Sequence, residues 1–399
     1  MPKPDQYDMP KYDVIIVGAG PAGISTALHL AKLSPGFTAR TLILEKAHHP
    51  RPKLCGGGLL PDAEIILRQL GLDVTEIPHV DVDWARFAYA GKGFKFRPDP
   101  GRPYAFRVIR RHEFDAWLAR KAQEKGVEIR EGTTVKAVKS TEAGCIVETD
   151  SGSFQAQVVI GADGSNSLVR RAISPHEKTH VARLLEVVTE PKAENSPHIP
   201  GDSYFDFVVI PQGIQGYVWE FPAVEKGRPI RVRGIYDCNV LSFKADLPLR
   251  SALEEELGRQ GLHLPEYKLE GHPLRWFVAK STFSAPRILL VGDAAGADAL
   301  FGEGISPALG YGGLAAYAVR EAFTSQDFSF RNYRRVILRS EMGKSLRRRT
   351  WWARFFYRLR WRLIQRLVWH HLGLVIVLIM RHFLIGWARR QERKASRQA

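Results

Sequence analysis

Four short apolar runs recur along the chain, and each stops at a glycine or an acid. They are Asp13–Val17 before Gly18, Thr41–Leu44 before Glu45, Gln157–Ile160 before Gly161, and Ile288–Val291 before Gly292. Continuous β-branched hydrophobicity of this length predicts buried strands. Helical patterning follows the first and last runs, over Ile24–Leu33 and Ile305–Ala318. Between them a different pattern predicts strands over Tyr204–Ile210, Tyr217–Phe221 and Ile230–Tyr236. Tyr217, Trp219 and Phe221 alternate and so project from one strand face. The elements predict an α/β body from residues 1–180 and 281–325, with an antiparallel sheet inserted over 181–280.

Beyond residue 326 the pattern turns helical and basic. Arg354, Arg358, Arg362 and Arg366 fall four apart, with Phe355, Leu359, Leu363 and Leu367 one position around. Leu372–Met380 is then nine apolar residues in a row. At about 1.5 Å per residue that run covers roughly half a hydrocarbon core. Extending it brings in Arg381, at a cost of roughly 2.5–3.5 kcal/mol near a bilayer centre. A basic amphipathic segment with interfacial tryptophans predicts a helical tail lying on an anionic membrane surface. A tilted span and a helix packed on the body are the alternatives.

Charge sharpens that division. The chain of 399 residues carries a formal +16. Arg331–Ala399 holds 19 Lys+Arg against 2 Asp+Glu, which is +17 and leaves the first 330 residues at −1. The basic partner surface therefore belongs to the tail. The apolar run argues against nucleic acid as the partner. Cys55, Cys145 and Cys238 are far apart, form no CxxC pair and suggest neither disulfides nor a metal site. Met1–Tyr12 lacks the apolar core of a signal peptide, so the body is expected on the cytoplasmic face of a membrane, monotopic or peripheral.

The candidate chemistry sits at the strand ends. Gly18-Ala19-Gly20-Pro21-Ala22-Gly23 follows a strand and opens a helix, the setting a dinucleotide fingerprint requires. Gly18 permits the turn, Gly20 lets backbone approach a pyrophosphate, and Gly23 lets helix and strand pack. Phosphate then meets free N–H groups at the helix N-terminus. Glu45, ending the second strand, suits a ribose hydroxyl and disfavours a 2′-phosphate. Asp163-Gly164 and Asp293 end two further strands. Three such segments in order imply one dinucleotide held from distant parts of the chain, best read as FAD.

The order GAGPAG, GADGS, VGDAAG and GEGI resembles the p-hydroxybenzoate-hydroxylase-like flavoproteins over residues 11–320. The resemblance implies that Asp293 meets the ribityl chain and Glu45 the adenosine ribose, and that Asp163 and Gly164 contribute to the nucleotide site. It also implies a flavin-side arginine, Arg111 or Arg110. Lys46, Val135, Gly302, Gly304 and Ile305 complete the expected cofactor residues. Two further segments resemble the geranylgeranyl reductase branch. Arg51-Pro52-Lys53-Leu54-Cys55-Gly56-Gly57-Gly58-Leu59 is like a loop that sets Cys55, Gly56 and Gly57 near the flavin ring. Gly216-Tyr217-Val218-Trp219-Glu220-Phe221-Pro222 is like a strand that lines the substrate cavity. Two positions depart from the branch: Ala297–Phe301 contains no proline, and Ala223 replaces a lysine.

Cys55 beside Arg51 and Lys53 is either a proton donor or a small residue in a tight turn. The aromatic strand is either a pocket wall or core. The expected activity is reduction of carbon–carbon double bonds in a prenyl chain on a lipid or diphosphate, with Cys55, Tyr217 and Trp219 as catalytic candidates. A monooxygenase or halogenase on the same scaffold and a non-catalytic flavin-binding membrane adaptor are the competing readings. With no second complete GxGxxG, the electron donor is either transient NAD(P)H or a ferredoxin-like protein.

Overall fold

The computed structural model describes residues 9–99, 101–191 and 199–398. Residues 1–8, which carry most of the N-terminal segment read above, lie outside the described part. Lys11–Val17 forms the centre of the first sheet, and Val14, Ile15 and Ile16 are wholly buried there. It pairs in parallel with Gly152–Gly161 on one side and Thr41–Leu44 on the other. Ile288–Leu290 adds in parallel outside the former, and Glu128–Arg130 outside the latter. Register explains why distant glycine segments meet. Val17 lies opposite both Gly161 and Leu44, and Gly161 lies opposite Leu290. The turns that follow these strands emerge side by side at one sheet end, where open α/β sheets bind ligands.

Helix Pro21–Leu33 packs on helix Ile305–Ser325. The approach is close at Gly312, where a Cβ would sit 2.4 Å from the Ser25 hydroxyl oxygen. That hydroxyl donates across the interface to the Leu309 carbonyl at 2.8 Å.

The second sheet runs in the order Glu270–Arg275, Val181–Thr189, Arg228–Asp237, Gly216–Glu225, Ser203–Asp206, Ala85–Tyr89, Lys92–Phe96. Its last two strands come from the stretch assigned above to the nucleotide domain. Ala85–Tyr89 pairs in parallel with Ser203–Asp206, and Phe87 and Phe96 are buried in the second sheet's core. The inserted sheet is therefore completed by a hairpin from residues 85–96. The strand expected over Tyr204–Ile210 ends at Asp206, whose carboxylate accepts from the N–H groups of Ala90, Gly91 and Val208.

The tail shares its core with the body. The single arginine stripe is split between two helices, Glu341–Phe356 and Arg362–His371. The chain turns at Tyr357 because its ring is buried and its hydroxyl donates to the Leu300 carbonyl at 2.7 Å. Trp369 stacks on Phe207 with ring centroids 4.1 Å apart. Asp62 accepts from the N–H groups of Gly386 and Ala388, each at 2.9 Å. No single described helix is long and apolar enough to cross a membrane; Arg362–His371 and Gly373–Leu384 together form a pair bent by 77°.

Candidate active site

A cavity of about 750 Å³ extends from the first glycine turn to the aromatic face of the second sheet. Gly18 is left-handed at φ +106°, and a Cβ there would lie 2.5 Å from the Ala162 carbonyl oxygen. Gly20, Pro21 and Ala22 line the cavity. No side chain caps the helix they open, so its first N–H groups remain available to an anion. Gly23 lies behind them. Its missing side chain lets helix and strand pack by making room for the Gly18 carbonyl oxygen, 2.0 Å from where a Cβ would stand.

Glu45 is fixed by the N–H groups of Ala19 at 2.9 Å and Ala47 at 3.1 Å, with the Arg51 guanidinium at 3.4 Å. Asp163 spends one carboxylate oxygen on the N–H groups of Leu168 and Val169, at 2.6 and 3.1 Å. Its other oxygen is buried without a partner, and burial raises its pKa. Asp293 accepts from the Ser165 hydroxyl at 3.2 Å. Lys46, Val135, Gly164, Gly302, Gly304 and Ile305 also line the cavity. A turn that no Cβ would fit, an uncapped helix end, a pre-oriented ribose-side carboxylate and an orphaned acid oxygen together fit FAD.

At the flavin end the arginine pair resolves. Arg111 lines the cavity and binds Asp115 through two hydrogen bonds, at 2.8 and 2.9 Å. Burial opposes its charge, but Asp115 outweighs burial and holds the guanidinium cationic. Arg110 turns away to Glu225 at 3.3 Å and does not line the cavity. The loop carrying Cys55 lies directly on the aromatic strand. A Cβ at Gly56 would come within 3.1 Å of both the Phe221 ring and the Trp219 indole nitrogen. Gly57, at φ +81°, could carry no Cβ without meeting the Ile109 carbonyl oxygen at 2.0 Å. The Cys55 sulfur accepts from the Gly57 N–H at 3.4 Å and faces the cavity.

Two buried polar groupings escaped the sequence reading. The Lys53 ammonium donates to His272 Nε2 at 2.5 Å, and both residues line the cavity. Burial pushes Lys53 down; burial and then the Lys53 charge push His272 down to about 4, so its imidazole is neutral and accepts. In the second sheet, Glu186 and Trp219 both lie opposite Gly234. The Trp219 ring lies over that glycine, 2.3 Å from where a Cβ would be. Burial pushes Glu186 up to about 8. One Glu186 oxygen and the Trp219 N–H are buried without partners. The available signal was Gly234 itself, a glycine inside a strand, which marks a close approach.

Tyr217, Trp219 and Phe221 face the cavity together, as their alternation predicts. Phe205 packs between two of them, with centroids 5.0 Å from Phe221 and 5.4 Å from Tyr217, and stacks on Phe87 at 4.7 Å. Tyr217 donates its hydroxyl to the Phe301 carbonyl, and burial raises its pKa well above the ordinary value. Its hydroxyl is thus committed, and its ring lines the cavity. The proline-free loop is held by Asp298, which accepts from the N–H groups of Leu300 and Phe301 at 2.8 and 3.1 Å. Arg349, from the tail, pairs with Asp298 at 3.1 Å and Glu303 at 2.8 Å. Met380 and Ile385, also from the tail, complete the cavity lining.

A family profile described as FAD binding domain matches residues 11–299. The chain belongs to this FAD-binding family. The flavoprotein is 30% identical over 336 residues to an uncharacterised protein of Methanosarcina barkeri, covering 83% of this chain and 81% of that one. It is 29% identical to a menaquinone reductase of Mycolicibacterium smegmatis, covering 76% and 75% of the two chains. It is 28% identical to a digeranylgeranylglycerophospholipid reductase of Methanococcus vannielii, covering 80% and 79%. Among solved structures, a geranylgeranyl bacteriochlorophyll reductase-like protein of Thermoplasma acidophilum shares the fold with a TM-score of 0.76 at 22% identity, covering 97% of this chain and 100% of that one. The halogenase PltM shares it with a TM-score of 0.70 at 19% identity, covering 97% and 85%. The flavoprotein is an FAD-dependent oxidoreductase similar to proteins named as geranylgeranyl reductases, on a scaffold whose fold halogenases share.

Proposed function

We propose that this oxidoreductase hydrogenates carbon–carbon double bonds of a prenyl chain carried on a lipid or a diphosphate. The observation that carries the reading is the continuity of the nucleotide cradle with a chamber walled by Phe87, Phe106, Phe205, Tyr217, Trp219 and Phe221. Such a chamber takes a long apolar chain and offers little to a polar aromatic acid. The relatives named for phospholipid, diphosphate and quinone substrates differ in head group, which fits a site that reads the chain.

FAD supplies hydride from its ring when bound and reduced. Glu45, the uncapped helix end and Asp293 would hold the cofactor, and Arg111 would supply a fixed positive charge to it. The aromatic faces align the chain and ease positive charge developing on a tertiary carbon, an effect of about 0.5–2 kcal/mol per ring. Cys55, at the junction of cradle and chamber, holds the proton destined for the second carbon. The loop Ala297–Gly304 and the tail exclude water. One hydride and one proton thus add across each double bond. Recharging falls to transient NAD(P)H or to a ferredoxin-like protein, and rapid-mixing reduction with each donor distinguishes them.

The test is anaerobic mixing of the reduced holoenzyme with a geranylgeranyl substrate, followed by flavin absorbance. Reoxidation at a rate that depends on substrate concentration supports the proposal. Reoxidation by oxygen alone, with the prenyl compound inert, contradicts it and favours the oxygenase reading.

A further inference from the structure

Thirteen large apolar side chains are exposed among the described residues, and ten of them lie between Trp351 and Phe383. Exposure is thus concentrated in the tail and not scattered over the molecule, which marks an interaction surface. The bent pair Arg362–His371 and Gly373–Leu384 carries its clearest part. Leu363 and Leu374 are 77% and 74% exposed, with Leu367, Leu378 and Phe383 about half exposed. The opposite face of the same pair is buried through Gln365, Trp369, Met380 and Leu384.

That buried face is also a cavity wall. Met380, beside Ile385, lines the chamber, so the same short segment carries chamber wall and exposed leucines. The helix that forms this wall is irregular there. Residues Met380–Leu384 form a π-turn, closed by the Ile385 N–H donating to the Met380 carbonyl at 2.9 Å and followed by Gly386 in the left-handed region. Such turns interrupt the regular helical ladder and recur at functional sites.

The occupant follows from charge. Arg354, Arg358, Arg362 and Arg366 are exposed alongside the apolar face, in a segment of net charge +17. Two copies of so basic a face repel each other, and nucleic acid has no use for the exposed leucines. An anionic bilayer satisfies both features. We propose that the outward face of this bent pair docks on an anionic bilayer, and that the prenyl chain passes from the bilayer into the chamber past Met380 and Ile385. The docking stands on the surface alone; the passage rests on the prenyl-reductase reading.

Flotation of the holoprotein with vesicles tests the docking. The protein should float with phosphatidylcholine–phosphatidylglycerol vesicles, weakly with phosphatidylcholine alone, and should resist a high-salt wash. The variant Leu374→Glu/Leu378→Glu/Phe383→Glu should fall to background while keeping its flavin content and circular dichroism. Because that variant introduces three charges, Arg362→Glu/Arg366→Glu serves as a second probe and should lose the preference for anionic vesicles. Undiminished flotation of both variants, or none by the wild type, overturns the docking. For the passage, one prenyl substrate is presented in vesicles and in detergent micelles. The triple variant should lose reduction of the vesicle substrate and keep reduction in micelles. Equal reduction in both overturns the passage. A wild type inert in both overturns the reductase reading, and the passage with it, while leaving the flotation result intact.

Discussion

Cys55 and Tyr217 face the same chamber, yet their polar atoms are committed differently. The Tyr217 hydroxyl is bonded to the Phe301 carbonyl, whereas the Cys55 sulfur only accepts a long contact from the Gly57 N–H, and the proposed reaction assigns the proton donor's part to Cys55. Tyr217→Phe should therefore cost about 1 kcal/mol of stability and leave turnover within a few-fold. Cys55→Ala should slow double-bond reduction by about 10²–10⁴-fold, the range for loss of a general acid. Single-turnover rates with matched flavin content check both. Glu186 makes a prediction about pH. Burial raises its folded pKa to about 8 from an ordinary 4.5, with Arg110 opposing and Glu270 adding to the rise. The folded protein keeps a proton that the unfolded chain releases, so stability falls as pH rises through that window and levels off above it. Glu186→Gln removes the slope. Its advantage over the wild type in thermal unfolding should grow between about pH 5 and pH 8, with a ceiling on the order of 4 kcal/mol. The commitment of the Tyr217 hydroxyl was not legible in sequence, because its partner Phe301 lies far along the chain.

At the scale of elements, the loop Ala297–Gly304 and the helix Glu341–Phe356 act together. Arg349 is the cation between Asp298 and Glu303, and all three are almost wholly buried. Arg349→Met leaves two buried carboxylates without a cation and should cost about 3–5 kcal/mol. Loss of flavin on heating should track the lowered unfolding temperature. Adding Asp298→Asn and Glu303→Gln should recover part of the loss, because the uncompensated charge, not the missing side chain, carries the penalty. The nucleotide site was legible in sequence for a specific reason. Each of its glycine segments sits next to its own buried strand, and parallel register brings the strand ends together. The hairpin Ala85–Phe96 was not legible as part of the second sheet. Its partner strand, Ser203–Asp206, is more than a hundred residues away and pairs in parallel, so no local pattern encodes the contact. The broken arginine stripe has a similar origin. No glycine or proline marks Tyr357–Trp361, and the turn comes from burial of Tyr357 against the Leu300 carbonyl.

At the scale of the molecule, one cavity joins three parts that the sequence presents separately. The parallel sheet supplies the cradle, the second sheet the aromatic wall, and the tail the closing side through Arg349, Met380 and Ile385. The glycine segments identify the cofactor, and the aromatic chamber with its tail-built wall argues for a prenyl chain as the substrate. Mass spectrometry of a geranylgeranyl substrate, after anaerobic incubation with the FAD-loaded protein and a chemical reductant, tests that claim most directly. The account predicts products heavier by pairs of hydrogen atoms, formed without oxygen. An unchanged chain under those conditions, with an oxygenated or halogenated product once oxygen and halide are admitted, would contradict it.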